Sequence, residues 1–109
     1  MYMSDASEPE LVKSLLEPLL EDFQYWFQRS QTLLETETIE FLGADGQQKL
    51  LERVKQAQRE VSTIQMLMIA TESKVGIETA ILMPWHNLVT ECWKVAIRFR
   101  LDHAQNQAE

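Results

Sequence analysis

Apolar residues recur along most of this chain at alternating intervals of three and four, the spacing that puts them on one side of an α-helix. The first such line runs Val12, Leu16, Leu19, Phe23, Trp26, Ser30 and Leu33, flanked by Leu11, Leu15, Leu20, Phe27 and Leu34. The second runs Leu50, Val54, Ala57, Val61, Ile64 and Met68, with Leu51, Met66, Leu67 and Ile69 beside it. The third runs Trp85, Val89, Cys92, Ala96 and Phe99, widened by Leu88, Trp93, Val95 and Ile97. No stretch alternates with the period of two that marks a strand, and no hairpin signal is present. The pattern predicts an all-α fold, an antiparallel bundle of three long helices.

Punctuation residues set the expected boundaries. Ser7 with Glu10 has capping-box spacing, and Pro9 falls inside the first turn, where proline is tolerated. Pro18 sits inside the first apolar line, so the first helix is expected to be kinked or broken there. Gly43, Asp45 and Gly46 mark a turn, and Asp45 with Gln48 repeats the capping spacing at the start of the second helix. Gly76 is a terminator for that helix. Residues 77–83 read as an apolar connection, extended or a short helix, and Pro84 as the first turn of the last helix. Lys94, Arg98 and Arg100 lie toward its C-terminal end, where positive charge offsets the macrodipole. The expected organisation is a flexible N-terminus over residues 1–7, one helical-bundle domain over 8–103, and a frayed tail over 104–109.

Helices of this length would extend roughly 35–40 Å at ~1.5 Å per residue. Three of them make a thin core for the apolar stripe that each carries. Self-association, as a homodimer, is therefore expected.

Composition narrows the function classes. A chain of 109 residues with 45% apolar residues, three glycines and three prolines suits one ordered, helix-rich domain. The net charge is −7, with ten acids against two bases in residues 1–46 and seven against eight in residues 47–109. An acidic chain repels a phosphate backbone, which argues against nucleic acid as a partner. No apolar run approaches the roughly 18–20 residues of a transmembrane helix. The first residues lack a signal peptide's charged and apolar regions. One cysteine, Cys92, precludes an internal disulfide. A cytoplasmic location is the expectation.

Chemistry is sparse. His86, Glu91 and Cys92 are ligand types, but six residues separate the imidazole from the thiol, so adjacent turns of one face do not carry both. No Cys-x-x-Cys or His-x-x-x-His spacing occurs, no glycine-rich phosphate loop is present, and Glu21 and Asp22 project in different directions. No metal, no cofactor and no enzymatic activity are expected. The aromatic run Phe23-Gln-Tyr-Trp-Phe27 is more suggestive, since Tyr25 points away from the apolar line. Trp85 and Trp93, eight residues apart, are expected to share a face near His86. Tyr25, Arg29, Trp85, His86 and Trp93 are therefore the candidate partner-binding residues of a non-enzymatic interaction or assembly protein with a protein partner. The alternative is a small-ligand or pigment carrier, with a tetrapyrrole in the Trp85/His86/Trp93 region.

Three runs together, Leu19-Leu-Glu-Asp-Phe-Gln-Tyr-Trp-Phe-Gln-Arg29, Gln56-Ala-Gln-Arg-Glu-Val61 and Pro84-Trp-His-Asn-Leu-Val-Thr-Glu-Cys-Trp93, resemble a small family of uncharacterised cyanobacterial proteins, a domain of unknown function. The resemblance covers roughly residues 10–101. It implies a cyanobacterial source and a helical single domain, and it carries no activity or residue role with it.

Overall fold

A computed structural model of the chain describes residues 8–70 and 79–108. They form three helices, α1 (Glu8–Thr36), α2 (Gly43–Ala70) and α3 (Thr79–Ala108), with no strand among the described residues. The expected three-helix bundle is the observed fold. α2 returns antiparallel to α1, and α3 comes back alongside α1, with Trp85 against Phe23 and Phe99 along the same groove as Leu33. The molecule is a rod of 63 × 27 × 20 Å.

The core follows the apolar lines with one rotation. On α2 the buried residues are Leu50, Leu51, Val54, Ala57, Val61 and Met68, the predicted line with Ile64 partly buried. On α1 they are Leu16, Leu20, Phe23, Phe27 and Leu34. The inward face of α1 is thus turned by one residue from the predicted line. Leu20, Phe27 and Leu34 take the centre, and Leu19, Trp26 and Leu33 stand at its rim. Phe27, Leu20, Ile39, Val54 and Val61 are fully enclosed, and each such side chain stabilises the fold by about 1.5–3 kcal/mol. On α3 burial is confined to Trp85, Leu88, Val89 and Cys92, with Val95 and Phe99 half-buried beyond them. The helical backbone of α3 nevertheless continues through Ala108.

Between α1 and α2 the chain turns through residues 37–42, and one side chain organises the turn. Gln47 Nε2 donates to the carbonyls of Leu34 (2.7 Å) and Glu37 (2.6 Å), and its Oε1 accepts from Ile39 N (2.9 Å). α1 has no basic residue in its last turn, so this amide serves the carbonyls that a helix end leaves open. Gly43 follows with φ +72°, a left-handed conformation in which a Cβ is strained. α2 begins at Gly43, two residues before the expected start. Asp45 lies inside its first turn, paired with Lys49 at 3.0 Å, and Gln47 rather than Gln48 makes the contacts that close the turn. Farther along, the Gln24 amide ties α1 to α2 by donating to Gln58 O (3.1 Å) and Ser62 Oγ (2.9 Å).

Both interior prolines are carried within helices. α1 is continuous across Pro18, so the expected break does not occur. Pro18 is exposed, and its missing N–H falls on the side where water can serve the backbone. α3 starts at Thr79, five residues before Pro84, so residues 79–83 are helical and Pro84 lies inside the second turn rather than opening the helix. It too is exposed. The Ser7 cap, the Gly76 terminator and residues 77–78 lie outside the described residues.

A candidate interaction surface between α1 and α3

Helical spacing assembles the site. Arg29 lies four residues after Tyr25 and three after Trp26, and long side chains on a helix lean toward its N-terminus. Arg29 therefore folds back over both rings, its guanidinium carbon 5.7 Å from the Tyr25 centroid and 5.9 Å from that of Trp26. Its Nη1 donates to Tyr25 Oη at 3.0 Å. The Tyr25 and Trp26 rings meet edge to face at 5.0 Å and 78°, and Trp26 meets Trp93 of α3 at 5.3 Å and 81°. Each edge-to-face pair contributes about 0.5–1.5 kcal/mol and each exposed cation–π contact about 0.5–1 kcal/mol. The four side chains are held by one another, yet Tyr25 stays 53% and Trp93 41% exposed.

A groove of about 350 Å³ runs beside these rings between α1 and α3. Leu33, Leu34, Leu50, Cys92, Val95 and Ala96 line it, and Arg29 and Arg100 reach its rim. A second groove, which shares Arg29 and Leu33 with the first, is lined by Thr36, Phe99 and His103, and the last two rings lie 4.3 Å apart. Arg98 covers the Phe41 ring at 4.2 Å. In a chain of net charge −7 this face sets two arginines, Arg29 and Arg100, around an apolar floor.

Cys92 lies buried in that floor. Burial pushes its thiol above the ordinary range, with Glu91 adding in the same direction, while a hydrogen bond with Ser30 and the charge of Arg53 pull the other way. The net effect keeps the thiol protonated, the opposite of what a nucleophile needs. Ser30, within the apolar line of α1, satisfies its hydroxyl by donating to Trp26 O at 2.8 Å. Glu91 is engaged elsewhere. Arg53 grips it with two hydrogen bonds, Nη1–Oε1 at 3.0 Å and Nη2–Oε2 at 2.8 Å, and this contact raises the arginine's pKa further. Both partners are about half-exposed, so the pair contributes at most about 1 kcal/mol.

The five predicted contact residues divide three ways. Tyr25, Arg29 and Trp93 come together. Trp85 is 3% exposed, packs edge to face on Phe23 at 5.6 Å, and donates its indole N–H to Glu60 Oε1 at 2.9 Å. His86 is exposed two turns before Trp93 on the same side of α3, and its carbonyl accepts from the Thr90 hydroxyl. Trp85 and Trp93 do not share a face, because eight residues advance a helix by about 80° beyond two full turns. Trp85 borders a groove with Lys49, Glu60 and Pro84, whereas Trp93 borders the one between α1 and α3. Trp26, assigned to the core line by spacing, is the residue that joins the cluster across helices. Its position beside Tyr25 and three before Arg29 is the signal that identifies it. No group of three His, Cys, Asp or Glu side chains is placed to hold a metal among the described residues. No described helix is long and apolar enough to cross a membrane.

Residues 6–101 match the family described as Protein of unknown function (DUF2605). The chain belongs to that family. No curated protein and no solved structure matches the chain. The match spans every residue of the α1–α3 cluster and most of all three helices, so the surface is part of the DUF2605 domain itself.

Proposed function

We propose that this DUF2605 protein is a non-enzymatic helical interaction and assembly protein whose contact surface is the Tyr25–Trp26–Arg29–Trp93 face. The observation that carries this reading is the interlocked but half-open aromatic–arginine cluster bordering an apolar groove. Tryptophan, tyrosine and arginine are the residues that dominate binding energy at protein interfaces, and pre-ordered side chains lose little entropy on docking. Beyond Trp93 the apolar stripe continues through Ile97 and Leu101, both exposed, on the same side of α3. The arginine rim selects a partner that offers carboxylates beside apolar side chains. Trp85 serves the core, and His86 lies two turns before Trp93 on the same side of α3. A cytoplasmic setting and a cyanobacterial source complete the reading, the latter following from the sequence resemblance.

The test is capture from the source organism with tagged wild-type protein and with a Tyr25→Ala/Arg29→Ala variant. Wild-type protein should retain a stoichiometric partner, and the variant should lose it with its circular dichroism unchanged. An identical set of captured proteins from both baits would refute the surface.

A further inference from the structure

We infer that a second copy of this chain occupies the face, packed antiparallel along α1 so that Asp22 of each copy pairs with Arg29 of the other. This rests on the reading above and names its partner. Leu15, Leu19, Asp22, Trp26, Arg29 and Leu33 fall at intervals of four and three and so form one stripe on α1. From Leu19 to Leu33 its character is apolar, acid, aromatic, base, apolar. Read backwards, the same stripe is apolar, base, aromatic, acid, apolar.

A stripe of that kind is complementary to itself only when the second copy runs the other way. One register then satisfies the five positions from Leu19 to Leu33, with Leu15 beyond the paired stretch. Leu19 faces the partner's Leu33, Asp22 faces the partner's Arg29, and Trp26 meets the partner's Trp26 at the two-fold axis. Such a contact is isologous, each pairing occurring twice, and it closes at two copies. A parallel copy would set Asp22 against Asp22 and Arg29 against Arg29, which like-charge repulsion disfavours.

Leu19, Asp22 and Arg29 are exposed to this partner, and Trp26 and Leu33, half-buried beside α3, keep part of their surface open. Asp22 is exposed, with no ion pair or hydrogen bond among the described residues. Arg29 spends one nitrogen on Tyr25 and keeps its other donors for a carboxylate. Leu15 is 72% and Ile97 51% exposed, more apolar surface than a lone rod of three helices covers. The groove beside the stripe gives the second helix a seat, and α3 adds Trp93 to the aromatic centre.

Charge reversal tests the pairing. Within one chain Asp22 and Arg29 are seven residues, about 10 Å, apart along the helix, too far to bond each other. Any rescue of one reversal by the other must therefore act between copies. Sedimentation equilibrium on the full chain should give a dimer at micromolar concentration. Asp22→Arg and Arg29→Glu should each weaken dimerisation at least tenfold, with helix content unchanged by circular dichroism, and the double variant should recover most of the loss. A monomeric wild type, or a double variant as weak as either single one, would overturn the inference. Were the chain monomeric while Tyr25→Ala/Arg29→Ala still abolished partner capture, the copy would be the wrong partner and the surface the right one. Were that variant's capture also unchanged, both would fall.

Discussion

Replacing Gln47 with alanine removes all three hydrogen bonds that close the α1–α2 turn. Two of them, to Leu34 O and from Ile39 N, are part-buried, and the third, to Glu37 O, is exposed. A typical intramolecular hydrogen bond contributes about 1 kcal/mol net, with exposed ones at the low end, so the loss amounts to about 2 kcal/mol. For a domain near this size that corresponds to a melting point lower by about 8–16 °C. Gln47→Glu is the sharper variant. It keeps an acceptor for Ile39 N but turns a carboxylate toward two carbonyls, which disfavours its charged form and raises its folded pKa. A raised folded pKa stabilises below the unfolded value of about 4.3 and is lost as pH climbs through the folded one, so the variant should weaken on going from acid to neutral pH. Urea unfolding followed by far-ultraviolet circular dichroism, at one fixed protein concentration, reads both effects as a shift in midpoint with constant slope. An alanine variant within about 0.5 kcal/mol of wild type would show that the amide does not secure the turn.

Three further outcomes follow from the same geometry. Gly43→Ala should cost about 1 kcal/mol from backbone strain alone, because no atom lies within 4 Å of the added Cβ, and Gly43→Asn should cost less; equal stability of all three proteins would argue against the left-handed conformation. Trp85→Ala should lose about 3–5 kcal/mol by cavity formation, whereas Trp93→Ala, being 41% exposed, should lose under half of that; comparable losses in chemical denaturation would contradict the division between core and surface tryptophans. Cys92 should react with a disulfide reagent far more slowly in folded than in unfolded protein. Its raised folded pKa stabilises fully below the unfolded thiol's value near 8.5 and is lost as pH rises from there, so Cys92→Ala should flatten the alkaline fall in stability.

How much of this was legible in the residues depends on how ambiguous each helix face was. α2 has one apolar diagonal bordered by charge, and its buried residues match the line read from spacing. α1 carries two adjacent diagonals, Leu19–Trp26–Leu33 and Leu20–Phe27–Leu34, and only the partners across the bundle decide which is innermost. The same ambiguity hid Trp26, which spacing alone assigns to the core. Pro84 looked like a helix start because proline suits a first turn, but α3 continues back to Thr79 and carries the proline on an exposed side of its second turn. The pairing of Trp85 with Trp93 failed on arithmetic of the helix rather than on chemistry. Gln47 carried no signal, since an amide gains its role only when two helix ends meet.

The uneven grip on α3 sets an order of opening. α1 and α2 are clasped by Gln47 at the turn and by Gln24 along their length, whereas the buried core residues of α3 run only from Trp85 to Cys92 and the half-buried contacts of Trp93, Val95, Arg98 and Phe99 hold it beyond. Amide protons from Trp93 onward should therefore exchange faster than those of the α1–α2 hairpin, as native-state hydrogen exchange would read. Occupancy of the α1–α3 face would slow exchange in that segment selectively. The second half of α3 is thus a built-in reporter, its isotope uptake tracking whether the face is covered while the rest of the chain provides the internal reference.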